Sequence, residues 1–473
     1  QPDTEVRMNR NFWKANWLMA VLLVAGFLVR FGFALPGLLD HPEQCFSRPD
    51  TPGYLEPARS LAAGEGYTIN GEPAMDRVPG FPLFAAIFLR LFGSESGIPA
   101  LVIALIAVGT LTAIPVRWAG AIWFNRRVGT VAAALYLFNP TAIANAPMLL
   151  SDTLFALFAA LQLAFFGLFR RRKSLEWLLA AFGCAAIGAL IRPINSVWLL
   201  PGLFLVAITP QLEWRKRLSY GFAAGTLFLL ILLPWQCRNA RFGGGYVLDG
   251  NTGAMYHQNG AMLLAKVNGT DFEEEKRKIL AELEIEFADR EKYPDLASRT
   301  DYRLRRFREL ILAHPLAWFP QHLRPHILLP DVPTLLENCG VTSANRGTLS
   351  VLQRDGIFAA VKHYFGGKLR LLWPLLPLLA VTGVTYLAAL ATLLIYLRYW
   401  RKCYYYLFVF LAFVEYYFFL PGPITVPRYQ LPALPFLTLL AAAILVPCAE
   451  RWIHRPANLN GGETFASVTE PRP

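Results

Sequence analysis

The chain has 473 residues, of which 55% are hydrophobic and only 16% are charged, and its mean hydropathy is +0.37. This composition excludes an ordinary soluble domain, a disordered chain and a collagen-like repeat, and six cysteines are too few for a disulfide scaffold. The net charge of +12 raises the question of a nucleic-acid partner, which depends on where the positive residues lie.

Apolar runs recur along the chain at the length of a membrane-spanning helix, which needs about 20 residues to cross a hydrocarbon core about 30 Å thick. The first run is predicted to be a retained helix and not a cleaved signal peptide, because it is long and lacks a small-residue cleavage site. About ten spans are predicted in all, at 17–36, 97–116, 128–147, 150–169, 175–191, 194–209, 218–235, 369–397, 404–421 and 429–449. The predicted fold class is therefore an all-α integral membrane protein, a polytopic helical bundle.

The positive charge is concentrated in short connections between these spans. The clusters are Arg7 to Lys14, Arg117 to Arg127, Arg170 to Lys173, Arg215 to Arg217, Arg398 to Lys402 and Arg451 to Arg455. With a cytoplasmic N-terminus, every cluster falls on the cytoplasmic side, as the positive-inside rule requires. The charge thus indicates membrane lipids as the partner and argues against nucleic acid.

Two connections on the opposite, non-cytoplasmic side are too long to be turns. Segment 81–92 is apolar but too short to span, and we expect it to lie along the outer interface. The predicted organisation is an N-terminal transmembrane module 1–235 with a first outer loop 37–80, a small, mainly α extracytoplasmic domain 236–368, C-terminal transmembrane helices 369–450 and a cytoplasmic tail 451–473.

Two aspartates on the outer side are candidates for chemistry. Asp50 follows Pro49 shortly after the first span, where a carboxylate could act as general base for an acceptor hydroxyl at the membrane surface. Its context, Asp-Thr-Pro-Gly, is equally a good turn sequence. Asp152 begins the fourth span, where an acid is also a common helix-start residue. The residues alone leave both alternatives open.

Three arginines at the outer ends of spans depart from the positive-inside pattern: Arg192, Arg238 and Arg428. A charged side chain in the apolar zone costs about 2.5 to 3.5 kcal/mol on insertion scales, so each needs a partner or a purpose. Snorkelling to lipid phosphate explains each of them singly. Several on one face better suit a phosphate-bearing substrate.

Taken in order, these motifs resemble the GT-C superfamily of membrane glycosyltransferases, in the branch of the protein O-mannosyltransferases and bacterial aminoarabinose transferases. The matching elements are Asp50 to Tyr54, Arg77-Val78-Pro79-Gly80-Phe81-Pro82, Ser151 to Phe155, Pro234-Trp235-x-x-Arg238-Asn239 and Arg428-Tyr429-x-x-Pro432-x-x-Pro435. Relatives often carry two adjacent acids in the first loop, whereas here Pro49 and Thr51 flank Asp50. This departure weakens any claim of a metal or of a strictly shared mechanism.

The resemblance implies a polyprenyl-phosphate sugar donor, an acceptor hydroxyl activated by Asp50, and an inverted linkage. The residues implied in donor and phosphate binding are Tyr54, Arg77, Arg192, Arg238, Arg428 and Tyr429. Asp152 could support Asp50, hold an arginine or share a divalent metal ion with Asp50, and the sequence does not choose among these. No cofactor is certain. Of Cys45, Cys237 and Cys339 on the outer side, no pair is singled out for a disulfide.

The predicted function is an inverting glycosyltransferase of the bacterial cytoplasmic membrane, with its active site on the outer face and a protein, lipid or polysaccharide as acceptor. The alternative is a transporter or flippase for a lipid-linked glycan, which would bind the same phosphate without breaking a bond. Transporters carry ionisable groups in mid-span, and the predicted spans are nearly free of them. The sequence therefore favours the enzyme.

Overall fold

A computed structural model describes residues 2–341, 347–423 and 426–453, so most of the predicted tail 451–473 lies outside the described residues. The fold is nearly all helical, at 79% helix. The strands β1 (Thr68–Ile69) and β2 (Glu72–Pro73) pair in antiparallel fashion as a short hairpin in the first outer loop. The α-helices are α1 (Pro2–Leu39), α2 (Pro42–Phe46), α3 (Pro52–Ala63), α4 (Gly80–Leu111), α5 (Ala113–Trp123), α6 (Arg126–Leu137), α7 (Pro140–Asn145), α8 (Asp152–Arg172), α9 (Leu175–Ile191), α10 (Leu199–Ala207), α11 (Trp214–Arg241), α12 (Ala261–Asn268), α13 (Phe272–Glu286), α14 (Leu296–Ala313), α15 (Pro315–Trp318), α16 (Val332–Asn338), α17 (Thr348–Tyr364), α18 (Leu372–Arg398), α19 (Trp400–Phe410), α20 (Tyr416–Phe419) and α21 (Leu434–Ile453).

Within these ranges, five helical stretches are long and apolar enough to cross a membrane: Trp17–Leu39, Gly80–Trp123, Asp152–Arg172, Trp214–Arg241 and Leu369–Arg398. Shorter apolar helices cover Leu175–Ile191, Pro193–Ala207 and Leu434–Glu450. The prediction of a mainly helical integral membrane protein is confirmed. The count of ten spans and the separate outer domain stay predictions.

The stretch 81–92, expected to be a short interfacial segment, forms the first part of α4. A break follows it at Gly93, whose φ of 75° is a left-handed conformation that glycine adopts readily. Phe81 and Leu89 are buried, whereas Leu83 and Leu91 on the other face are exposed. The segment is therefore a two-faced helix that packs one side on the first outer loop.

The predicted span 128–147 is not one continuous helix. Helix α6 ends at Leu137, and α7 begins at Pro140, because proline has no N–H to donate and is favoured at the first position of a helix. The Asn139 side chain accepts hydrogen bonds from the N–H groups of Thr141 and Ala142 and so caps the new helix. The break exposes carbonyl groups at the end of α6.

A buried arginine of α1 satisfies those carbonyls. Arg30 is fully buried, and its guanidinium donates to the carbonyl of Leu137 at 2.7 Å and to that of Tyr136 at 3.5 Å. In the hydrocarbon region a broken helix has no water to satisfy its backbone groups, so a side chain must do it. Arg30 thereby joins α1 to the break between α6 and α7.

Replacing Arg30 with methionine is expected to destabilise the protein by about 1 to 3 kcal/mol, the usual cost of leaving buried polar groups unpaired. Thermal unfolding of the detergent-solubilised chain measures the change. The matched control is Arg90→Met, since Arg90 is exposed and donates to one carbonyl, that of Ala62. Equal losses of stability in the two variants would contradict the role given to Arg30.

Two buried clusters position the outer face. In the first loop, Phe46, Tyr54 and Phe81 pack with the segment at Leu149, which ties the loop to the start of α8. In the large connection after α11, residues of α12, α13 and α14 form a small core of their own with Tyr256, and α16 packs on α7. These contacts bring segments distant in sequence to one cavity, and the division into the four predicted domains stays a prediction.

Candidate functional site

A cavity of about 1340 Å³ lies where the first outer loop, the start of α8, the end of α9 and the turn before α21 meet the large connection. Most of the charged residues predicted for the site line it: Asp50, Arg77, Asp152, Arg192 and Arg428, together with Tyr429. Residues separated by almost the whole chain thus share one wall, and the arginines are paired with carboxylates.

Asp50 stands between two arginines. Arg77 donates to its Oδ1 at 2.9 Å, and Arg428 donates to its Oδ2 at 2.7 Å. The turn also predicted for this sequence is present, since the Thr51 N–H donates to the carbonyl of Arg48 at 2.8 Å. The buried Thr51 hydroxyl donates to the carbonyl of Leu149. The turn therefore holds the carboxylate in the cavity, and its two interpretations from sequence are compatible.

The surroundings of Asp50 favour its ionised form. Burial alone would raise the pKa of this carboxyl, but the positive charges of Arg428 and Arg77, the hydrogen bond from Arg428 and the more distant Arg192 outweigh burial. The pKa of Asp50 consequently lies below its ordinary value. In this resting arrangement Asp50 is a carboxylate with both oxygens engaged, hence a weak base.

Asp152 and Arg192 form the second ion pair of the site. Asp152 is buried in the first turn of α8, and Arg192, which directly follows α9, donates to its carboxylate. Of the roles considered for Asp152, the geometry shows the holding of an arginine. The guanidinium carbons of Arg192 and Arg428 lie 5.4 and 5.7 Å from the Tyr429 ring centroid, so both cations are in contact with this ring.

The aromatic ring of Tyr54 contacts the guanidinium of Arg77. Its ring is buried against Phe81, with ring centroids 5.3 Å apart, and the Arg77 guanidinium lies 5.1 Å from the Tyr54 centroid. The Tyr54 hydroxyl is 3.2 Å from that of Ser151, directly before α8. Tyr54 therefore orients an arginine of the site and links the first loop to α8.

Arg238 lies apart from the cavity. Its guanidinium donates to the carbonyls of Tyr67 and Ala74 in the first loop and packs on the rings of Trp235 and Phe242. These contacts join α11 to the hairpin of the loop. The structure thus does not bring Arg238 together with Arg192 and Arg428, and its geometry favours a structural role over phosphate binding.

Polar residues of the large connection also reach the cavity, and sequence reasoning missed them. Glu337 of α16 accepts a hydrogen bond from Arg48 at 2.8 Å, and Asp331 accepts one from Asn145 of α7 at 3.0 Å. Arg48 comes directly before Pro49 and Asp50 in the sequence and so carried a signal. Asp331 and Glu337 carried none, because only tertiary packing brings α16 against α7.

The arrangement does not fit a divalent cation. Each oxygen of Asp50 faces an arginine, and Asp152 is held by Arg192. Hard cations need several oxygen ligands that are free to coordinate. Over the part of the chain that the structure describes, no group of three or more His, Cys, Asp or Glu residues could hold a metal ion. Cys45, Cys237 and Cys339 are free thiols.

Part of the chain matches the model of a known protein family. A family model described as dolichyl-phosphate-mannose-protein mannosyltransferase matches residues 76–237. No curated protein sequence matches the chain.

Several solved structures are similar to the chain. The oligosaccharyltransferase AglB from Archaeoglobus fulgidus, in complex with an inhibitory peptide and a dolichol-phosphate, is 13% identical, with 95% of this chain and 53% of that chain covered and a TM-score of 0.53. The same enzyme tethered with an acceptor peptide is 14% identical, covering 92% and 50%, with a TM-score of 0.51. ArnT from Cupriavidus metallidurans, bound to undecaprenyl phosphate, is 15% identical, covering 94% and 66%, with a TM-score of 0.43.

The chain spans about half the length of the AglB structures that it matches. The resemblance to GT-C membrane glycosyltransferases, inferred from the motifs, is confirmed by the family match and the shared fold. The chain is accordingly an integral membrane protein that is similar to this mannosyltransferase family over residues 76–237 of its 473 residues.

Proposed function

We propose that this chain is an inverting glycosyltransferase that moves a sugar from a polyprenyl-phosphate donor to a hydroxyl of a protein, lipid or polysaccharide. The observation that carries the proposal is the convergence of the Asp50 carboxylate with Arg77, Arg192 and Arg428 on one cavity. Transfer from a sugar phosphate needs a base for the incoming hydroxyl and positive charge for the departing phosphate. This cavity has both.

The arginines suit a phosphate group. Arg428 and Arg192 both contact the Tyr429 ring, and both line the cavity. Guanidinium groups bind phosphate oxygens in a fork geometry, and in a site screened from water they stabilise the negative charge that develops as the sugar bond breaks. The proposed leaving group is therefore the polyprenyl phosphate, held by Arg428 and Arg192.

Donor binding also prepares the base. As long as Arg428 and Arg77 occupy the Asp50 oxygens, the low pKa makes this carboxylate a weak proton acceptor. A bound phosphate competes for Arg428, and the loss of that partner frees Oδ2 and raises the pKa of Asp50. Asp50 then removes the proton of the acceptor hydroxyl, whose oxygen attacks the anomeric carbon as the phosphate leaves.

The rest of the cavity suits the lipid part of such a donor. Apolar side chains of α17 and α18 line it, among them Leu352, Val361, Leu372 and Leu379. Burying isoprenoid carbon contributes about 0.8 kcal/mol per CH₂, so an apolar surface supplies affinity without polar contacts. The AglB structure with the same fold contains a dolichol-phosphate, which supports this class of donor.

The proposal includes the membrane arrangement. We place the N-terminus in the cytoplasm of a bacterial cell and the cavity on the outer face of the cytoplasmic membrane, since the basic clusters then lie inside. The proposed organisation keeps the module 1–235, the outer domain 236–368, the helices 369–450 and the tail 451–473.

The test uses the full chain reconstituted in vesicles with undecaprenyl phosphate that carries radiolabelled mannose, glucose or aminoarabinose. One of these donors is expected to be cleaved, with free undecaprenyl phosphate as product and with the sugar joined to an added acceptor hydroxyl or to water. A chelator such as EDTA is expected to leave the rate unchanged, because the acids of the site are bound by arginines. Movement of an intact labelled donor across the bilayer, with no cleavage, would instead identify a flippase.

A further inference from the structure

A short π-helical turn of the large connection contributes three consecutive polar residues to the cavity wall. The turn covers Tyr256–Gly260, and His257, Gln258 and Asn259 all line the cavity that contains Asp50. A π turn inserts an extra residue into helical geometry and occurs frequently at functional sites. Sequence periodicity gives no sign of it, and the proposed chemistry at Asp50 does not use it.

The turn is firmly anchored on the side away from the cavity. Tyr256 is 3% exposed, and its hydroxyl donates to Glu282 Oε2 at 3.1 Å. Glu282 also accepts hydrogen bonds from Tyr302 and Arg306 of α14. Such a network fixes the backbone of the turn, so the side chains that follow Tyr256 are presented in a defined position.

The three side chains have their hydrogen-bonding capacity unused. Among the residues that the structure describes, none donates to or accepts from the side chains of His257, Gln258 or Asn259, and the His257 Nδ1 atom is buried without a partner. Buried polar atoms in folded proteins are nearly always hydrogen-bonded. Groups held in place in a cavity wall with free capacity are therefore suited to a ligand.

The chemistry of this turn differs from that of the arginines. Burial, together with the charges of Arg303 and Lys276, holds the pKa of His257 below its ordinary value, which favours the neutral ring. Gln258 and Asn259 are uncharged amides with both donors and acceptors. A neutral set of this kind matches hydroxyl groups, which also donate and accept, and it offers no charge to a phosphate.

The turn lies close to Gly422, six residues before Arg428 in the sequence. A Cβ added at Gly422 would lie 3.3 Å from Asn259 Nδ2, so the Asn259 amide lies close to the backbone of Gly422. The φ of 76° at Gly422 favours glycine there as well. The neutral amides and the phosphate-binding arginine thus belong to connected parts of one wall.

We infer that His257, Gln258 and Asn259 bind the hydroxyl groups of a sugar in this cavity. This inference rests on the proposed function and adds a sugar-binding site to the phosphate-binding arginines. The hydroxyl groups come either from the sugar of the donor or from a sugar of the acceptor, and both present the same chemistry to the turn.

The experiment compares the wild-type full chain with a Gln258→Ala, Asn259→Ala double variant in nanodiscs. The first arm measures affinity for bare undecaprenyl phosphate and for undecaprenyl phosphate carrying mannose, glucose or aminoarabinose. The second arm adds the free methyl glycosides of these sugars to the chain saturated with undecaprenyl phosphate. Gln44→Ala is the matched control, since Gln44 is an exposed glutamine of α2 outside the cavity.

The double variant is expected to bind bare undecaprenyl phosphate as the wild type does, which also shows that it is folded. Its affinity for the sugar-bearing ligand is expected to fall about tenfold in one of the two arms, as the loss of two net hydrogen bonds predicts. A loss in the first arm identifies the bound sugar as that of the donor, and a loss in the second arm identifies it as that of the acceptor. A double variant that binds sugar as tightly as the wild type in both arms would overturn the inference alone. A wild type that shows no preference for any sugar and cleaves no donor would overturn the proposed function and the inference together.

Discussion

Replacing Asp50 with asparagine is expected to lower the rate of sugar transfer by about 10²- to 10⁴-fold, the usual contribution of a general base. Donor binding is expected to persist or to tighten slightly. The reason is that the substitution removes the negative charge that now holds Arg428 and Arg77, so both arginines become available to the phosphate. The measurement pairs single-turnover release of labelled sugar with the dissociation constant for bare undecaprenyl phosphate.

The matched control is Asp40→Asn, since the Asp40 side chain is 72% exposed after α1 and lies outside the cavity. Its transfer rate is expected to equal that of the wild type. Normal transfer by Asp50→Asn would leave Asp50 with the turn as its only role. Loss of both binding and transfer would instead mean that Asp50 orders the arginines and does no proton chemistry.

Much of the fold follows from patterns that a sequence carries locally. Helix α9 covers Leu175–Ile191, the range predicted from hydropathy, because an apolar run with one acid, Glu176 in its first turn, has clear ends at Ser174 and Arg192. The run 128–147 is also apolar, yet Asn139-Pro140 divides it into two helices. Hydropathy averages over such a break, whereas the cap at Asn139 and the missing N–H of Pro140 decide it locally.

The broken helix also shows what hydropathy misses about Arg30. A single arginine lowers the mean hydropathy of an apolar run only slightly, so the run 17–36 is predicted as an ordinary span. In the structure this arginine donates to the carbonyls that the break at Leu137 leaves open. The buried Arg30 and the break after Leu137 explain each other only when α1 and α6 are in contact. No local sequence pattern predicts that contact.

Part of the site could be predicted from the sequence, because a charged residue near the apolar zone is costly and so indicates a function or a partner. Arg192 and Arg428 at the outer ends of spans indicated a shared purpose, and the structure places both in the cavity. Arg238 satisfied the same argument but lies among Trp235, Tyr67 and Phe242. Carbonyl groups and aromatic rings can stabilise an arginine as well as a ligand can. The position of the arginine in the sequence does not show which of these partners it has.

Replacing Arg428 with glutamine is expected to have the second large effect, on both donor affinity and pH dependence. The loss of a charge-assisted hydrogen bond to the phosphate lowers affinity by about 10- to 100-fold. Arg428 is also the strongest of the charges that lower the pKa of Asp50, so its removal raises that pKa. Because the base acts only when deprotonated, kcat/KM falls as the pH falls through the pKa of Asp50 in the free enzyme.

In the wild type this acid limb lies below the ordinary aspartate range, and in Arg428→Gln it moves to higher pH. Arg428→Lys separates the two effects, because lysine keeps the positive charge near Asp50 but loses the fork geometry of the guanidinium. Its acid limb is expected to stay close to that of the wild type while its donor affinity remains low. Arg90→Gln, at an exposed position of α4, controls for the loss of an arginine elsewhere. An acid limb at the same pH in wild type and Arg428→Gln would mean that Asp50 is not the group that titrates, and that the ion pair with Arg428 only shapes the cavity.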